Sequence, residues 1–337
     1  AGSTPGSSAR SSARSSAGSS STTASSSTAP TSAVPVGTGG TFELPPESTI
    51  DEEAATSVLE AGEQLVVDVQ THFLDLPEDA SGMLSWAPQA ACGGTSAECF
   101  GVDMWRSLVL GGSDTTVAVL SAVPIVADPD PLSAAVMDAA RRQVEELGCV
   151  DRVLIQGHAT PTIGAPQAAL DAMSATVASF DLAAWKAYTH EGPPWRLDDE
   201  IGTGFLDHVR LLGPPIVCVH KGLGPAAASP ADVGPAAARH PDLAFCVYHS
   251  GFETGVTEGP YPGVDEGERA GGVDRLVASV ERAGIGPGGN VYPELGSTWW
   301  NLIQRPDEAA HVLGKLLVAF GEDNLLWGTD SIWYGSP

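Results

Sequence analysis

Residues 65–72 read LVVDVQTH. The run opens on Leu65, Val66 and Val67 and then alternates, with Asp68, Gln70 and His72 on one side of Val69 and Thr71. A strand turns successive side chains to opposite faces, so an acid, an amide and an imidazole share one face of a short, otherwise apolar strand. A strand that ends in chemically capable residues is what the inner wall of a parallel α/β fold looks like, provided that the pattern repeats.

It repeats. Strands are expected at 65–72, 115–121, 151–158, 179–188, 215–220, 243–249, 291–296 and 325–330. Helical stretches are expected between them at 131–147, 164–177, 200–212, 230–239, 272–283 and 306–320. Alternation of strand and helix argues for parallel βα units, and eight such strands suggest a (β/α)8 TIM barrel. An open doubly wound sheet is the alternative, weakened because no Gly-x-Gly-x-x-Gly follows the first strand. The eighth strand closes at Asp330 and the sequence stops at Pro337, so the barrel is expected to be truncated before its eighth helix. One long insertion, 74–114, separates the first two strands and carries Trp86, Cys92, Cys99 and Trp105. Loops of that length commonly serve a site.

Composition narrows the classes. The 337 residues include 42% hydrophobic side chains, enough for one large core at 46–337. Residues 1–45 are Ser, Thr, Ala, Gly and Pro with almost no charge, the composition of a disordered tail or linker. Such a tail is consistent with a cytoplasmic protein, or with an exported one whose signal has been removed. A net charge of −26 opposes binding to nucleic acid and to anionic membranes. No run of 18 apolar residues suggests a membrane span. Cys92 and Cys99 can pair under export, while Cys149, Cys218 and Cys246 sit in or beside apolar runs and read as buried thiols. The expected partner is a small-molecule substrate, with a homo-oligomer left open.

The strand ends carry the chemistry. Gln70 and His72 end the first strand, His158 the third, His220 the fifth, His249 the sixth, Glu294 lies in the seventh and Asp330 ends the eighth. Lys186 lies in the fourth strand and His190 in the loop after it. In a barrel these ends converge on one mouth. Imidazoles with a carboxylate suit one divalent metal, zinc first and manganese or iron next. His72, His220 and Asp330 are the expected ligands, with Gln70 as a weak addition. Asp330 and His249 are the expected catalytic pair, His249 being otherwise a fourth ligand or a holder of substrate oxygen. His158, Lys186, Glu294 and Trp299 are the expected substrate contacts, each with a plain structural alternative such as an ion pair or loop packing. Lys221 follows His220 and is turned away from it by strand parity, toward an acid outside the lumen.

The ordered set DVQTHF at 68–73, AWKAYT at 184–189, WRLDDEIG at 195–202, VHKG at 219–222, YHSGFE at 248–253 and LLWGTDSIWYGSP at 325–337 resembles the amidohydrolase superfamily in its amidohydrolase-2 branch. The resemblance covers about residues 60 to 337 and implies a metal-dependent TIM-barrel enzyme. Such enzymes hydrolyse amide or ester bonds or, in some members, decarboxylate acids without oxidation. The family's first-strand motif is His-x-His, and here Gln70 takes the first position. The expectation is therefore a hydrolase of a small amide, ester or lactone that tolerates Gln70. A decarboxylase, a metal-free lactonase-like enzyme and a non-catalytic barrel are the alternatives.

Overall fold

A computed structural model describes residues 65–77, 97–125, 130–224 and 226–333. The segment 1–45, Trp86, Cys92 and Tyr334 lie outside the described residues. Seven parallel strands run in chain order: β1 Val67–Thr71, β2 Val117–Leu120, β3 Val153–Ala159, β4 Ala184–Tyr188, β5 Ile216–His220, β6 Ala244–Tyr248 and β7 Val291–Pro293. The sheet curls until its two edges are joined by the segment 326–331. On one side Leu326 N donates to Pro293 O at 2.9 Å. On the other, Val69 N donates to Trp327 O at 3.1 Å and Asp330 N to Gln70 O at 2.9 Å. The eighth stave is thus held by isolated bridges, Glu294 to Leu326 and Thr71 to Ser331, rather than by a full ladder. The architecture is the (β/α)8 barrel that the alternation predicts, and no helix follows the eighth stave among the described residues, which end at Trp333.

The helices are α1 Val102–Trp105, α2 Ala134–Glu146, α3 Pro166–Ser179, α4 Glu200–Leu212, α5 Val233–Arg239, α6 Val264–Ala270, α7 Gly272–Arg282, α8 Thr298–Leu302 and α9 Pro306–Phe320. Local chemistry starts them. Ser133 caps α2 by accepting from Val136 N at 3.3 Å, and Asp199 caps α4 by accepting from Gly202 N at 2.8 Å. Pro166 and Pro306 open α3 and α9, where a missing N–H costs nothing. None of the helices of the described residues is long and apolar enough to cross a membrane.

The strands are buried on both faces because both are covered. Outside, Trp185, Val217, Val219, Phe245 and Val247 pack under the helices. Inside, Ala184, Cys218, Cys246 and Tyr248 fill the lumen against Val69 and Leu326. Gly157 lets Trp185 lie flat on β3, since a Cβ there would come within 2.6 Å of the indole.

Three expectations need correction. The fourth strand begins at Ala184, not 179, because Ser179 is the last residue of α3 and the apolar run across the connection hid the break. The seventh strand stops at Pro293 instead of 296: Glu294 N still donates to Val247 O on β6 at 3.0 Å, but Glu294 and Leu295 then bridge only to Leu326. The described part of the 74–114 insertion is helical from Ala97 through α1 and a π-turn at Arg106–Leu110, and its Phe100 and Trp105 are fully buried core residues. Cys99 is disulfide-bonded. Cys149, Cys218 and Cys246 are free thiols, the last two buried and Cys149 only half-buried.

Candidate active site

The C-terminal ends of the strands bring His72, Gln70, His220, His249 and Asp330 to one mouth. Backbone strain gathers there. His249, Ser250, Ser297 and Asp330 all have positive φ, between 51° and 69°. Non-glycine residues in that region cost about 1–3 kcal/mol each and persist where their surroundings over-determine them. The surroundings do so: Ser250 Oγ donates to Glu294 O at 2.6 Å, Thr298 Oγ1 to His249 O at 2.8 Å, and His249 N to Glu294 Oε2 at 3.0 Å. The glycine of VHKG has a similar reason. Gly222 has φ of 115°, and a Cβ on it would come within 2.5 Å of Phe252 O, so only glycine lets the turns after β5 and β6 meet.

Asp330 and His72 form the first couple. Asp330 Oδ1 accepts from Gln70 Nε2 at 2.8 Å and lies 3.0 Å from His72 Nε2, and Asp330 Oδ2 accepts from Ser297 Oγ. Burial alone would raise the Asp330 carboxyl. Hydrogen bonds from His72 and Ser297 and the charges of His249 and His72 outweigh it and hold Asp330 below the usual carboxylate value. His72 Nδ1 donates to Ser121 O at 2.6 Å, so Nε2 is the atom that faces the site. Gln70 turns its amide nitrogen toward both members of the couple, 3.3 Å from His72 Nε2, while its Oε1 is buried with no hydrogen-bond partner.

His220 and His249 form the second couple. His220 Nε2 donates to Gly222 O at 3.1 Å and His249 Nδ1 to Gly296 O at 2.7 Å. Their other nitrogens, His220 Nδ1 and His249 Nε2, face each other at 3.0 Å. Burial, then the charges of His249, Lys186 and His190, press His220 well below the ordinary imidazole value. Burial first, with Lys186 and His72 adding, brings His249 down to about 4. Both shifts favour the neutral imidazoles near pH 7, with the two facing nitrogens within hydrogen-bond distance of one another.

Other expected residues are placed differently. Glu294 accepts from the backbone amides of His249 and Gly296, so it positions the His249 turn rather than facing a substrate. Burial, aided by the Asp330 charge, raises its carboxyl far above the usual range. Lys186 is fully buried, with Nζ 3.6 Å from the Tyr248 ring centroid and 4.7 Å from that of Tyr188, and has no hydrogen-bond partner. Burial lowers it to about 8. Trp299, expected to wall a pocket, packs against the hydrophobic core; the indole that touches the site is Trp333, stacked on His72 at 5.6 Å. Lys221 does turn outward, to Asp232 at 2.8 Å.

His158 is engaged by acids that sequence spacing does not reveal. Its Nε2 lies 2.8 Å from Glu191 Oε2 and its Nδ1 3.9 Å from Asp130 Oδ2. Burial would lower this imidazole, but the two carboxylates raise it to about 9. A folded value above the ordinary 6.5 means that these contacts stabilise fully below about pH 6.5 and are lost as pH rises through about 9. His158→Gln is expected to flatten the fall in urea midpoint between those pH values. An unchanged pH slope would count against the ion pair.

Among the described residues, no three His, Cys, Asp or Glu side chains are gathered as a group that could hold a metal ion. The donors stand instead as two couples, and the chemistry of each suits a divalent cation. Two ligands on a tetrahedral ion with bonds of about 2.0–2.1 Å lie roughly 3.3 Å apart, close to the 3.0 Å within each couple. The far nitrogens of His72, His220 and His249 are all tied to backbone carbonyls, the outer-shell arrangement that aims an imidazole at a metal.

A family model described as amidohydrolase matches residues 67–336. No curated protein matches the chain. Among solved structures, an amidohydrolase II is similar at 13% identity with a TM-score of 0.49, covering 80% of this chain and 87% of that one. The 4-oxalomesaconate hydratase of Rhodopseudomonas palustris is similar at 14% identity with a TM-score of 0.44, covering 80% and 82%.

Proposed function

The chain belongs to the amidohydrolase family, and on that premise we propose that it is a metal-dependent hydrolase acting on an amide, ester or lactone carbonyl of a small molecule. The observation that carries this reading is the buried Asp330 carboxylate, kept ionised beside three imidazoles whose site-facing nitrogens are not committed to backbone carbonyls. His72, His220 and Asp330 would hold one divalent metal, zinc first and manganese or iron next, with His249 beside them. A metal bound there would supply Lewis acidity at neutral pH.

The chain's own groups do the rest. Asp330 Oδ1 takes the proton of the attacking water, with Gln70 Nε2 at 2.8 Å and Ser297 holding the carboxylate in place. His249, neutral and fixed by Gly296, is the second proton acceptor. Lys186 places a positive charge under the mouth, where negative charge develops on the substrate oxygen.

Two observations favour neighbouring readings. Lys186 is a buried cation with no hydrogen-bond partner, which suits an anionic substrate and a non-oxidative decarboxylase; release of carbon dioxide would separate that reaction from hydrolysis. The amide nitrogen of Gln70 points into the His72–Asp330 couple, which suits a metal-free lactonase-like site.

The test is metal content by plasma mass spectrometry on protein purified without chelator, followed by a screen of ester, amide, lactone and carboxylic acid substrates. About one metal per chain is expected, the single ion that such catalytic sites hold. A chain that stays metal-free after soaking in zinc would overturn the metal-dependent reading.

A further inference from the structure

We propose that Cys218 and Cys246 form a redox site inside the barrel, where a hydroperoxide joins them as a disulfide and so displaces the histidine couple above them. Neither thiol takes part in the function proposed above, and the chemistry of the pair needs no metal. The two cysteines are register partners on β5 and β6. Both side chains face the lumen, in one cluster with Ala184 and Tyr248. Both are free thiols, and each is 4% exposed. The two thiols are in hydrogen-bond contact with each other. Gln156 fixes one of them from the side, since its Nε2 donates to Cys218 Sγ at 3.3 Å and to Tyr248 Oη at 2.6 Å. Cys149, the other free thiol among the described residues, lies beyond the end of α2, apart from this pair.

Register partners on neighbouring strands stand about 4.8 Å apart, inside the roughly 4.4–6.8 Å between Cα atoms that a disulfide spans. Bonding is therefore within reach of the folded chain. It is not free of consequence. A disulfide holds its Cβ atoms about 3.8 Å apart, closer than the strand spacing, so the bond draws β5 and β6 together by about 1 Å. His220 follows Cys218 by two residues, on the same face and one pleat nearer the mouth, and His249 follows Cys246 by three. Their facing nitrogens are 3.0 Å apart. His249 has φ of 69° and is tied to Glu294 and Thr298, so its turn does not follow the strand freely. Oxidation below the mouth thus misaligns the couple above it.

The chemistry balances with the peroxide alone. Cys218 Sγ, with the Gln156 N–H beside it, attacks one peroxide oxygen and the O–O bond breaks. The departing hydroxide takes the thiol proton and leaves as water, and Cys218 is a sulfenic acid. Cys246 Sγ then attacks that sulfur, and the expelled hydroxide takes the Cys246 proton as a second water. The two thiols lose two electrons and the peroxide gains them. A dithiol reductant reverses the bond by exchange.

The test treats the folded full chain with hydrogen peroxide and removes the excess with catalase. The chain is then unfolded in guanidinium with N-ethylmaleimide, digested with trypsin and read by mass spectrometry. A disulfide-linked product joining 211–221 to 240–269 is expected, and dithiothreitol should remove it. Cys246→Ala is expected to give no linked product and to leave Cys218 as a sulfenic acid that dimedone traps. Both peptides recovered as maleimide adducts, or linked to 143–152, which carries Cys149, would overturn the site. On the first substrate that the screen yields, oxidation is expected to lower kcat about a hundredfold, the scale of a misplacement of about 1 Å, with recovery in dithiothreitol. A linked chain with unchanged kcat would overturn the displacement of the couple. The linked product is read with or without a bound metal, so failure of the metal-dependent reading leaves this test standing.

Discussion

Asp330→Asn is expected to lower kcat by about a thousandfold, within the range that a positioned general base supplies, while the fold survives. The substitution keeps volume and removes charge. Asn can still accept from Gln70 Nε2 through its own oxygen, so the 2.8 Å contact is retained. Asn also tolerates the left-handed backbone, where Asp330 has φ of 58°, better than most residues do. What is lost is the acceptor for a proton and the carboxylate opposite His72 Nε2 at 3.0 Å. The measurement is kcat and KM on the first ester, amide or lactone that the substrate screen yields, with a thermal melt as control. A kcat within tenfold of wild type would remove Asp330 from the mechanism. The pH dependence has a definite sign. Asp330 is held below the ordinary carboxylate value, so the acid limb of the activity profile should lie below that value, while Lys186, brought down to about 8, loses its charge on the alkaline side.

That prediction was legible from sequence, and it is useful to see why others were not. Residues at the C-terminal strand ends of a barrel converge whatever the details of packing, so His72, His220, His249 and Asp330 could be gathered from alternation alone. Strand parity also turned Lys221 away from His220, as the structure shows. Parity says nothing about residues just past a strand, and His190 is one of these. Nor does it say which nitrogen of an imidazole faces inward. That is decided by carbonyls such as Ser121 O, Gly222 O and Gly296 O, which are set by loop geometry. The partners of His158, Asp130 and Glu191, lie about 30 residues away on either side in sequence and reach it because they follow the strands that flank β3 in the sheet. The orientation of Gln70 is of the same kind. The substitution is visible in the sequence, but that its amide nitrogen bridges two expected ligands is not.

Asp232→Ala is expected to destabilise the fold by about 3–5 kcal/mol, the cost of leaving a buried charge without its partner. Asp232 Oδ2 lies 2.8 Å from Lys221 Nζ and also accepts from Leu197 N at 2.9 Å, and both side chains of the pair are essentially inaccessible. Burial lowers the Lys221 ammonium, and the Asp232 carboxylate is the main group opposing that. Removing the carboxylate strands an ammonium and a backbone N–H together, and water cannot reach either at low cost. Lys221→Met is expected to cost a similar amount from the other side, and the double variant Lys221→Met/Asp232→Leu less than either single change, because no uncompensated charge remains. Urea unfolding of the four proteins reads this directly. Single variants within 1 kcal/mol of wild type would show that the pair does not support the fold. The consequence extends to the site, because Lys221 Nζ also donates to Thr189 Oγ1 at 3.0 Å, in the turn that carries His190. Loss of the pair should therefore loosen the His190 turn while Asp330, anchored by Gln70, His72 and Ser297 on the far side of the mouth, stays in place.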